Sequence, residues 1–95
     1  MLSTLENLFK LARERKVKPV DGSYTNKLLS NKSLSKSKVL EEINELIEAV
    51  EKDTNKIHEA ADVFYHLIIY LEAHNIKIED IEGELEKRKK SNEQN

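Results

Sequence analysis

The sequence predicts an all-α domain, arranged as a small four-helix bundle. Only two glycines and one proline occur among the 95 residues, whereas 36% of the residues are Asp, Glu, Lys or Arg. An all-β fold needs many turns and therefore more glycine and proline. Apolar residues also recur at helical spacing in several separate segments of the chain. Because a domain of this size buries only a thin core, we expect the chain to form a dimer.

The first helix is predicted over about residues 3–16. Ser3 and Glu6 match the Ser-x-x-Glu capping box, in which both side chains satisfy free N–H groups at a helix start. Leu5 and Leu8 begin an apolar pattern at helical spacing. The helix is therefore expected to begin at Ser3 with its own cap.

The next segment, residues 17–37, is predicted to be a long connection. It contains Pro19, an Asp-Gly turn signal and five serines. We expect one helical turn at most in this segment, around residues 26–29. A connection longer than about 12 to 15 residues in a compact domain is usually functional or disordered.

The second predicted helix has an apolar side and an acidic side. The apolar side carries five aliphatic residues: Val39, Ile43, Leu46, Ile47 and Val50. The acidic side carries Glu41, Glu45 and Glu48, and Glu42 lies at the boundary between the two. The apolar side is expected to face the core.

The third predicted helix begins after Asp53 and Thr54, which are candidate N-terminal caps. It runs to about residue 74, where Asn75 is a candidate left-handed terminator. Its centre, residues 60–71, carries few strongly polar side chains, so we expect this helix to be packed on several sides.

A shorter fourth helix is predicted around Ile78, Ile81 and Leu85. The helical domain is expected to span residues 1–88. Residues 89–95 are expected to form a flexible C-terminal tail.

Residue usage excludes several kinds of protein and site. The chain has no cysteine, and therefore no disulfide, no thiolate zinc site and no thiol nucleophile. No apolar run approaches the roughly 18 residues of a membrane-spanning helix, and no signal-peptide core is found. We therefore expect a cytoplasmic protein without a membrane partner. The net charge of −2, and the lack of aromatic residues among the lysines of residues 27–38, argue against a nucleic-acid partner.

Two pairs of carboxylates at i, i+3 spacing form the most informative pattern. Glu42 and Glu45 lie on the second helix, and Glu59 and Asp62 lie on the third. If these helices are antiparallel, four carboxylates can converge on one point, a donor set that suits Mg²⁺ or Mn²⁺. For Glu42 and Glu45 an exposed acidic face is the alternative. No glycine-rich phosphate loop occurs, so a bound nucleotide would be held by side chains and metal.

The histidines do not form a zinc motif. His58 and Glu59 begin a string similar to His-Glu-x-x-His, but Asp62 stands where the second histidine should be. A zinc protease is therefore not expected.

Three segments of the chain resemble a known enzyme family. Residues 19–29 read Pro-Val-Asp-Gly-Ser-Tyr-Thr-Asn-Lys-Leu-Leu, residues 39–45 read Val-Leu-Glu-Glu-Ile-Asn-Glu, and residues 59–66 read Glu-Ala-Ala-Asp-Val-Phe-Tyr-His. In order and spacing, over roughly residues 4–88, the chain resembles phosphoribosyl-ATP pyrophosphatase. That family is related to the MazG-like all-α nucleoside triphosphate pyrophosphatases, whose Glu-x-x-Glu and Glu-x-x-Asp pairs bind Mg²⁺.

The resemblance implies Mg²⁺-dependent hydrolysis of phosphoribosyl-ATP to phosphoribosyl-AMP and pyrophosphate, the second step of histidine biosynthesis. Mn²⁺ is an alternative metal. The implied metal ligands are Glu42, Glu45, Glu59 and Asp62. The implied catalytic residues are Glu41, Glu42 and Glu45, with Glu41 as a further ligand or as general base.

The resemblance also implies a set of substrate-binding residues: Ser23, Tyr24, Thr25, Lys27 and Lys38. Arg13 and Lys36 are weaker candidates for this role. His66 is expected either to orient a carboxylate or to be a satisfied core histidine.

Leu40 stands where the family usually has glycine before its Glu-Glu pair, and it could crowd a substrate.

The family's cyclohydrolase fusion partner does not occur in this sequence, so we expect the stand-alone form, a homodimer with sites between the second and third helices. Two alternatives stay open. One is a house-cleaning pyrophosphatase for other nucleoside triphosphates. The other is a non-catalytic helical interaction module with a partner surface at Val63, Ile69 and Tyr70.

Overall fold

A computed structural model describes residues 2–92 of the chain. It contains five α-helices: α1 (Ser3–Val17), α2 (Tyr24–Ser30), α3 (Lys32–Lys52), α4 (Lys56–Ala73) and α5 (Ile78–Asn92). The all-α class is confirmed, and no strand occurs within the described residues. The two long helices α3 and α4 make the most extensive contact in the fold. They form an antiparallel hairpin, and α1 and α2 pack against α4.

The start of α1 differs from the sequence-based prediction. Leu2 is the N-cap residue, and no side chain forms a capping hydrogen bond there. Ser3 already lies inside the helix, so the predicted capping box is not formed. The predicted extent of the helix, residues 3–16, agrees with the observed one to within a residue.

The long connection predicted at residues 17–37 was wrong, because most of it is helical. Only residues 18–23 separate α1 from α2. Ser23 caps α2 by accepting a hydrogen bond from the backbone N–H of Asn26, and Asn31 caps α3 through the N–H of Leu34. These polar residues therefore mark helix starts rather than loop. The serines at 33, 35 and 37 lie inside α3.

The turn between α3 and α4 uses two left-handed residues. Asp53 has a φ of 55° and ends α3, whereas Asn55 has a φ of 39° and precedes α4. Asp53 and Thr54 are therefore not the N-caps of the third predicted helix. The left-handed conformation predicted for Asn75 is confirmed, with a φ of 58°.

The core lies where α1, α2 and α4 meet. Ala12, Leu28 and Ile69 are fully buried there, and residues such as Leu8 and Tyr65 pack against them. Because Ile69 has no exposed surface, it cannot belong to the partner surface that the interaction-module alternative required.

A network of ion pairs around the buried carboxylate of Glu72, which we call the arginine clamp, joins α1, α4 and α5. Glu72 is 1% exposed and receives hydrogen bonds from Arg13 Nε at 3.0 Å and Lys16 Nζ at 3.3 Å. Arg13 also donates two hydrogen bonds, at 2.8 and 2.6 Å, to the carboxylate of Glu79. Arg13, a weaker candidate for substrate binding, is therefore committed to two carboxylates within the fold.

The side of α3 that faces α4 agrees only in part with the predicted apolar side, of which Val39 and Leu46 are half-buried. Its buried residues are Ser35, Glu42 and Ala49, which recur every seven positions. The aliphatic residues on the other side are instead 37% to 56% exposed: Leu40, Ile43, Ile47 and Val50. We call these four residues the α3 apolar stripe.

Helix α5 continues to Asn92, so residues 89–92 of the predicted tail are helical. Residues 93–95 of that tail lie outside the described residues. None of the helices between residues 2 and 92 combines the length and apolarity needed to cross a membrane.

Candidate active site

Four carboxylates from the facing sides of α3 and α4 form one acidic cluster. The antiparallel hairpin brings Glu42 and Glu45 of α3 opposite Asp62 and Glu59 of α4. Glu42 and Glu59 each lie in the electrostatic field of Glu45 and Asp62. Glu45 interacts with both Glu42 and Glu59 and therefore connects the two pairs. The fold therefore brings together the four carboxylates whose convergence the two i, i+3 spacings predict.

Glu42 is the buried member of this acidic cluster. Its residue is 6% exposed, and its Oε2 atom is buried without a hydrogen-bond partner. Burial, together with the negative charges of Glu45 and Asp62, raises the pKa of the Glu42 carboxyl group. A buried carboxylate oxygen without a partner is unfavourable, and a bound cation would satisfy it.

Glu59 is affected in the same way at the other side of the cluster. Burial raises the pKa of the Glu59 carboxyl group, and the nearby carboxylates of Glu45 and Asp62 raise it further. A donor set made only of carboxylate oxygens is the kind that Mg²⁺ and Mn²⁺ prefer. The unpartnered oxygen of Glu42 and the mutual repulsion of the cluster both fit such an ion.

Lys38 and Glu41 lie at the edge of the acidic cluster. Carboxylate oxygens of Glu41, Glu42 and Glu45 lie within 4.8 Å of one another. Glu41 is also paired with Lys38, whose ammonium is 3.9 Å from the nearer oxygen of Glu42. The hydrogen bond to Glu41 raises the pKa of Lys38 and so keeps it charged. Among residues 2–90, Lys38 is the one cation that forms an ion pair with Glu42.

His58 adjoins the acidic cluster, a position that the search for a zinc motif does not predict. Its Nε2 atom lies 3.4 Å from Asp62 Oδ2 and 3.8 Å from Glu59 Oε1. The signal was available, because His58 and Asp62 are four residues apart on one helix face. Its imidazole is exposed, at the rim of the cluster.

The side chains of α2 reach the same end of α4 through two hydrogen bonds. His66 Nδ1 donates to the backbone carbonyl of Asp62 at 2.8 Å, which leaves Nε2 to accept from the hydroxyl of Tyr24 at 2.9 Å. Burial raises the pKa of Tyr24, and the charge of Lys38 opposes the rise. The hydroxyls of Thr25 and Tyr65 share a hydrogen bond of 2.5 Å.

The five candidate substrate-binding residues therefore differ in accessibility. Thr25 is 7% exposed and committed to Tyr65, so it supports α2 rather than lining a surface. Tyr24 and Lys38 adjoin the acidic cluster. Ser23 and Lys27 lie in a separate groove beside α1. Lys36, a weaker candidate, is exposed on α3.

Leu40 does not crowd the acidic cluster. At about 100° per residue, positions 40 and 42 lie on nearly opposite sides of α3. Glu42 faces α4, whereas Leu40 is 56% exposed and belongs to the α3 apolar stripe. Its side chain therefore points away from the carboxylates.

Comparison with known sequences places the chain in a family. The family profile described as Phosphoribosyl-ATP pyrophosphohydrolase matches residues 2–89. A Phosphoribosyl-ATP pyrophosphatase of Clostridium acetobutylicum is 47% identical over 89 residues, covering 88% of this chain and 79% of the relative. One from Clostridium botulinum is 40% identical over 91 residues, covering 92% and 82%. A histidine biosynthesis bifunctional protein of Caldanaerobacter subterraneus is 39% identical over 93 residues, covering 94% of this chain and 45% of that protein. The chain belongs to the phosphoribosyl-ATP pyrophosphohydrolase family.

Proposed function

We propose that this protein hydrolyses phosphoribosyl-ATP to phosphoribosyl-AMP and pyrophosphate in histidine biosynthesis, with Mg²⁺ as cofactor and in the cytoplasm. Family membership over residues 2–89 carries the assignment of the reaction. The acidic cluster supports the metal requirement, because it offers carboxylate oxygens and one buried oxygen without a partner.

The residues in and beside the acidic cluster have separate roles in this proposal. Glu42, Glu45, Glu59 and Asp62 would hold the metal. A divalent cation bound there supplies charge neutralisation for the triphosphate and lowers the pKa of a bound water. Glu41, which is exposed next to the cluster, is the candidate to accept the proton of the attacking water. Lys38 can then release Glu41 and contact a phosphate oxygen of the leaving pyrophosphate.

Tyr24 and His66 hold the edge of the site in position. The hydrogen bond at 2.9 Å between them ties α2 to α4 next to Lys38. Substrate atoms that contact the Tyr24 hydroxyl would therefore meet a side chain that is already fixed. His66 acts through Tyr24 and is a positioning residue in this proposal.

The test of the reaction is pyrophosphate release from phosphoribosyl-ATP, with ATP, dUTP and dCTP as parallel substrates, in Mg²⁺ and in excess EDTA. Metal-dependent turnover of phosphoribosyl-ATP alone is expected. Turnover of the plain triphosphates at equal rate would instead assign a general nucleoside triphosphate pyrophosphatase. No turnover of any substrate would favour a non-catalytic role.

We also propose that the protein is a homodimer that buries the α3 apolar stripe. Its four aliphatic side chains are 37% to 56% exposed in the single chain. Covering them is favourable by about 25 cal/mol per Å² of apolar surface. Light scattering should give a dimer mass for the wild type and a monomer mass for Ile43→Lys combined with Ile47→Lys. Glu48→Lys, an exposed change on another side of the same helix, is the matched control and should stay dimeric.

A further inference from the structure

A groove about 660 Å³ in volume lies between the C-terminal end of α1 and α2, apart from the four carboxylates. Its walls are the end of α1, the loop at residues 18–23 and one side of α2. Three cationic side chains line it, Arg15, Lys16 and Lys27, against the single acid Asp21. Its volume lies within the range of small-molecule sites and its charge favours an anion.

Two of these three cations have hydrogen-bonding capacity to spare. Arg15 uses one guanidinium N–H, which donates to Ser23 Oγ at 2.7 Å, and forms no ion pair within residues 2–90. Lys27 is exposed, and its ammonium has no partner in the same part of the chain. Lys16, in contrast, is held by Glu72 and Asn75. Arg15 and Lys27 are therefore the groups that can bind an added anion, and a guanidinium is well matched to a phosphate.

Two side-chain hydrogen bonds of Asn26 connect the walls of the groove. The side chain of Asn26 donates to the backbone carbonyl of Arg15 at 2.9 Å and accepts from the backbone N–H of Val20 at 2.9 Å. These two bonds fix α1 and the loop against α2. Gly22, with a φ of 79°, provides the left-handed turn that lets the loop fold back. Preformed positions reduce the entropy lost on binding.

Tyr24 connects this groove to the acidic cluster. It lines the groove, and its hydroxyl bonds to His66 and lies in the field of Lys38. The acidic cluster and the groove differ in the charge of the ligand that each can bind first. The acidic cluster requires a cation before it can accept a phosphate, whereas the groove can accept a phosphate directly.

We propose that this groove binds the phosphate monoester at the phosphoribosyl end of the substrate, with Arg15 and Lys27 as its ligands. The inference rests on the proposed function, because phosphoribosyl-ATP carries a phosphate monoester in addition to its triphosphate. A plain nucleoside triphosphate has no group for the groove. Arg15 and Lys27 therefore distinguish the two classes of substrate, and the acidic cluster does not.

The first test measures binding without catalysis. Ribose 5-phosphate is titrated into the protein in excess EDTA and followed by calorimetry and by the amide NMR signals of residues 15–30. Saturable binding at these residues is expected for the wild type. It should be lost in Arg15→Gln and Lys27→Gln and retained in Lys10→Gln, an exposed change elsewhere on α1. No saturable change in the wild type would overturn the inference.

A parallel titration with ATP in EDTA separates the two phosphate-bearing ends of the substrate. If ATP displaces ribose 5-phosphate from the groove, then the groove holds a triphosphate and the inference is wrong. The NMR spectra also show whether each variant is folded, so a loss of binding through misfolding is recognised directly.

The second test uses turnover. Arg15→Gln and Lys27→Gln should each raise KM for phosphoribosyl-ATP roughly ten- to hundredfold, the usual effect of losing a charged hydrogen bond, and so reduce its advantage over ATP. An equal loss for both substrates would contradict the inference. If the wild type does not hydrolyse phosphoribosyl-ATP at all, the proposed function fails, while the binding test still decides whether the groove takes a phosphate monoester.

Discussion

Two buried glutamates, Glu42 and Glu72, show how differently this small fold treats a carboxylate. Glu72 is 1% exposed and bonds to Arg13 and Lys16. Glu42 is 6% exposed, has an oxygen without a partner and faces further carboxylates. The first charge is balanced within the chain. The second charge is balanced only in part, by Lys38 at 3.9 Å, which is why we propose a cation-binding site at Glu42 and a structural ion pair at Glu72.

The largest effect is expected from the acidic cluster. Glu59→Gln and Asp62→Asn should each lower kcat/KM for phosphoribosyl-ATP by at least about a hundredfold, because each removes a candidate metal ligand. Glu51→Gln, an exposed change on α3, is the control for charge and should leave the rate unchanged. Wild-type turnover in both variants would show that the acidic cluster, including Glu42, lies outside the catalytic site. The proposed difference in role between Glu42 and Glu72 would then be wrong.

Glu72→Gln should give the largest loss of stability. Removing one partner of a buried ion pair costs about 3 to 5 kcal/mol, and we expect roughly 2 to 3 kcal/mol here because the cations are partly exposed. The side chains of Arg13 and Lys16 are 34% and 29% exposed. Urea unfolding in EDTA measures the change. Glu42→Gln, in the same assay, should be as stable as the wild type or more stable, because it relieves repulsion.

Adding Mg²⁺ should stabilise the wild type and not the variants of the cluster. A ligand at a hundred times its Kd stabilises a protein by about 2.7 kcal/mol. For a domain of this size that corresponds to a rise in Tm of roughly 10 °C or more. Glu72→Gln should keep the whole Mg²⁺ shift although its Tm is lower. The same shift in Glu42→Gln would show that the metal binds elsewhere.

In EDTA, the acidic cluster and the Arg13–Glu79 ion pair should change the free energy of unfolding in opposite directions as pH rises. The folded-state pKa values of Glu42 and Glu59 are raised above the ordinary 4.5, so the folded state binds more protons and stability falls as pH rises through these values. Arg13 lowers the pKa of Glu79 to about 2, so that contribution is present above 4.5 and is lost as pH falls through about 2.

Urea unfolding across this pH range measures both contributions. Glu42→Gln should reduce the loss of stability at higher pH, and Glu79→Gln should reduce the loss at low pH. Identical pH profiles for the two variants would contradict the assignment of opposite roles to the two regions. This is the smallest of the expected effects, because Glu79 is exposed and screened by solvent.

Several features of the fold follow from local sequence alone. The first helix, the αL residue Asn75 and the i, i+3 carboxylate pairs depend only on helical periodicity and residue type, so their prediction was sound. The segment at residues 17–37 was not predictable in this way. Ser23 and Asn31 favour caps as much as turns, and the burial of Leu28 and Thr25 against α4 selects the helical alternative.

The apolar pattern of α3 identified an amphipathic helix, but it could not say which side faces its own chain. Position 42 is buried because the antiparallel hairpin places it against α4, a pairing that the pattern of α3 alone does not contain. Arg13 shows the same limit. An arginine near a candidate substrate site and an arginine paired with two acids 59 and 66 residues away look identical in sequence.

The sequence by itself therefore determined the helical class, the helix periodicities and the residue types of a carboxylate site, because these depend on neighbours a few residues apart. The tertiary structure alone decided which charges meet. It gave Glu72 two cations within 3.3 Å, left one oxygen of Glu42 without a hydrogen-bond partner, exposed the α3 apolar stripe and placed Arg15 and Lys27 in the walls of one groove. The physical reason is that the energy of a buried charge depends on groups distant in sequence, which only the folded chain brings within a few ångströms.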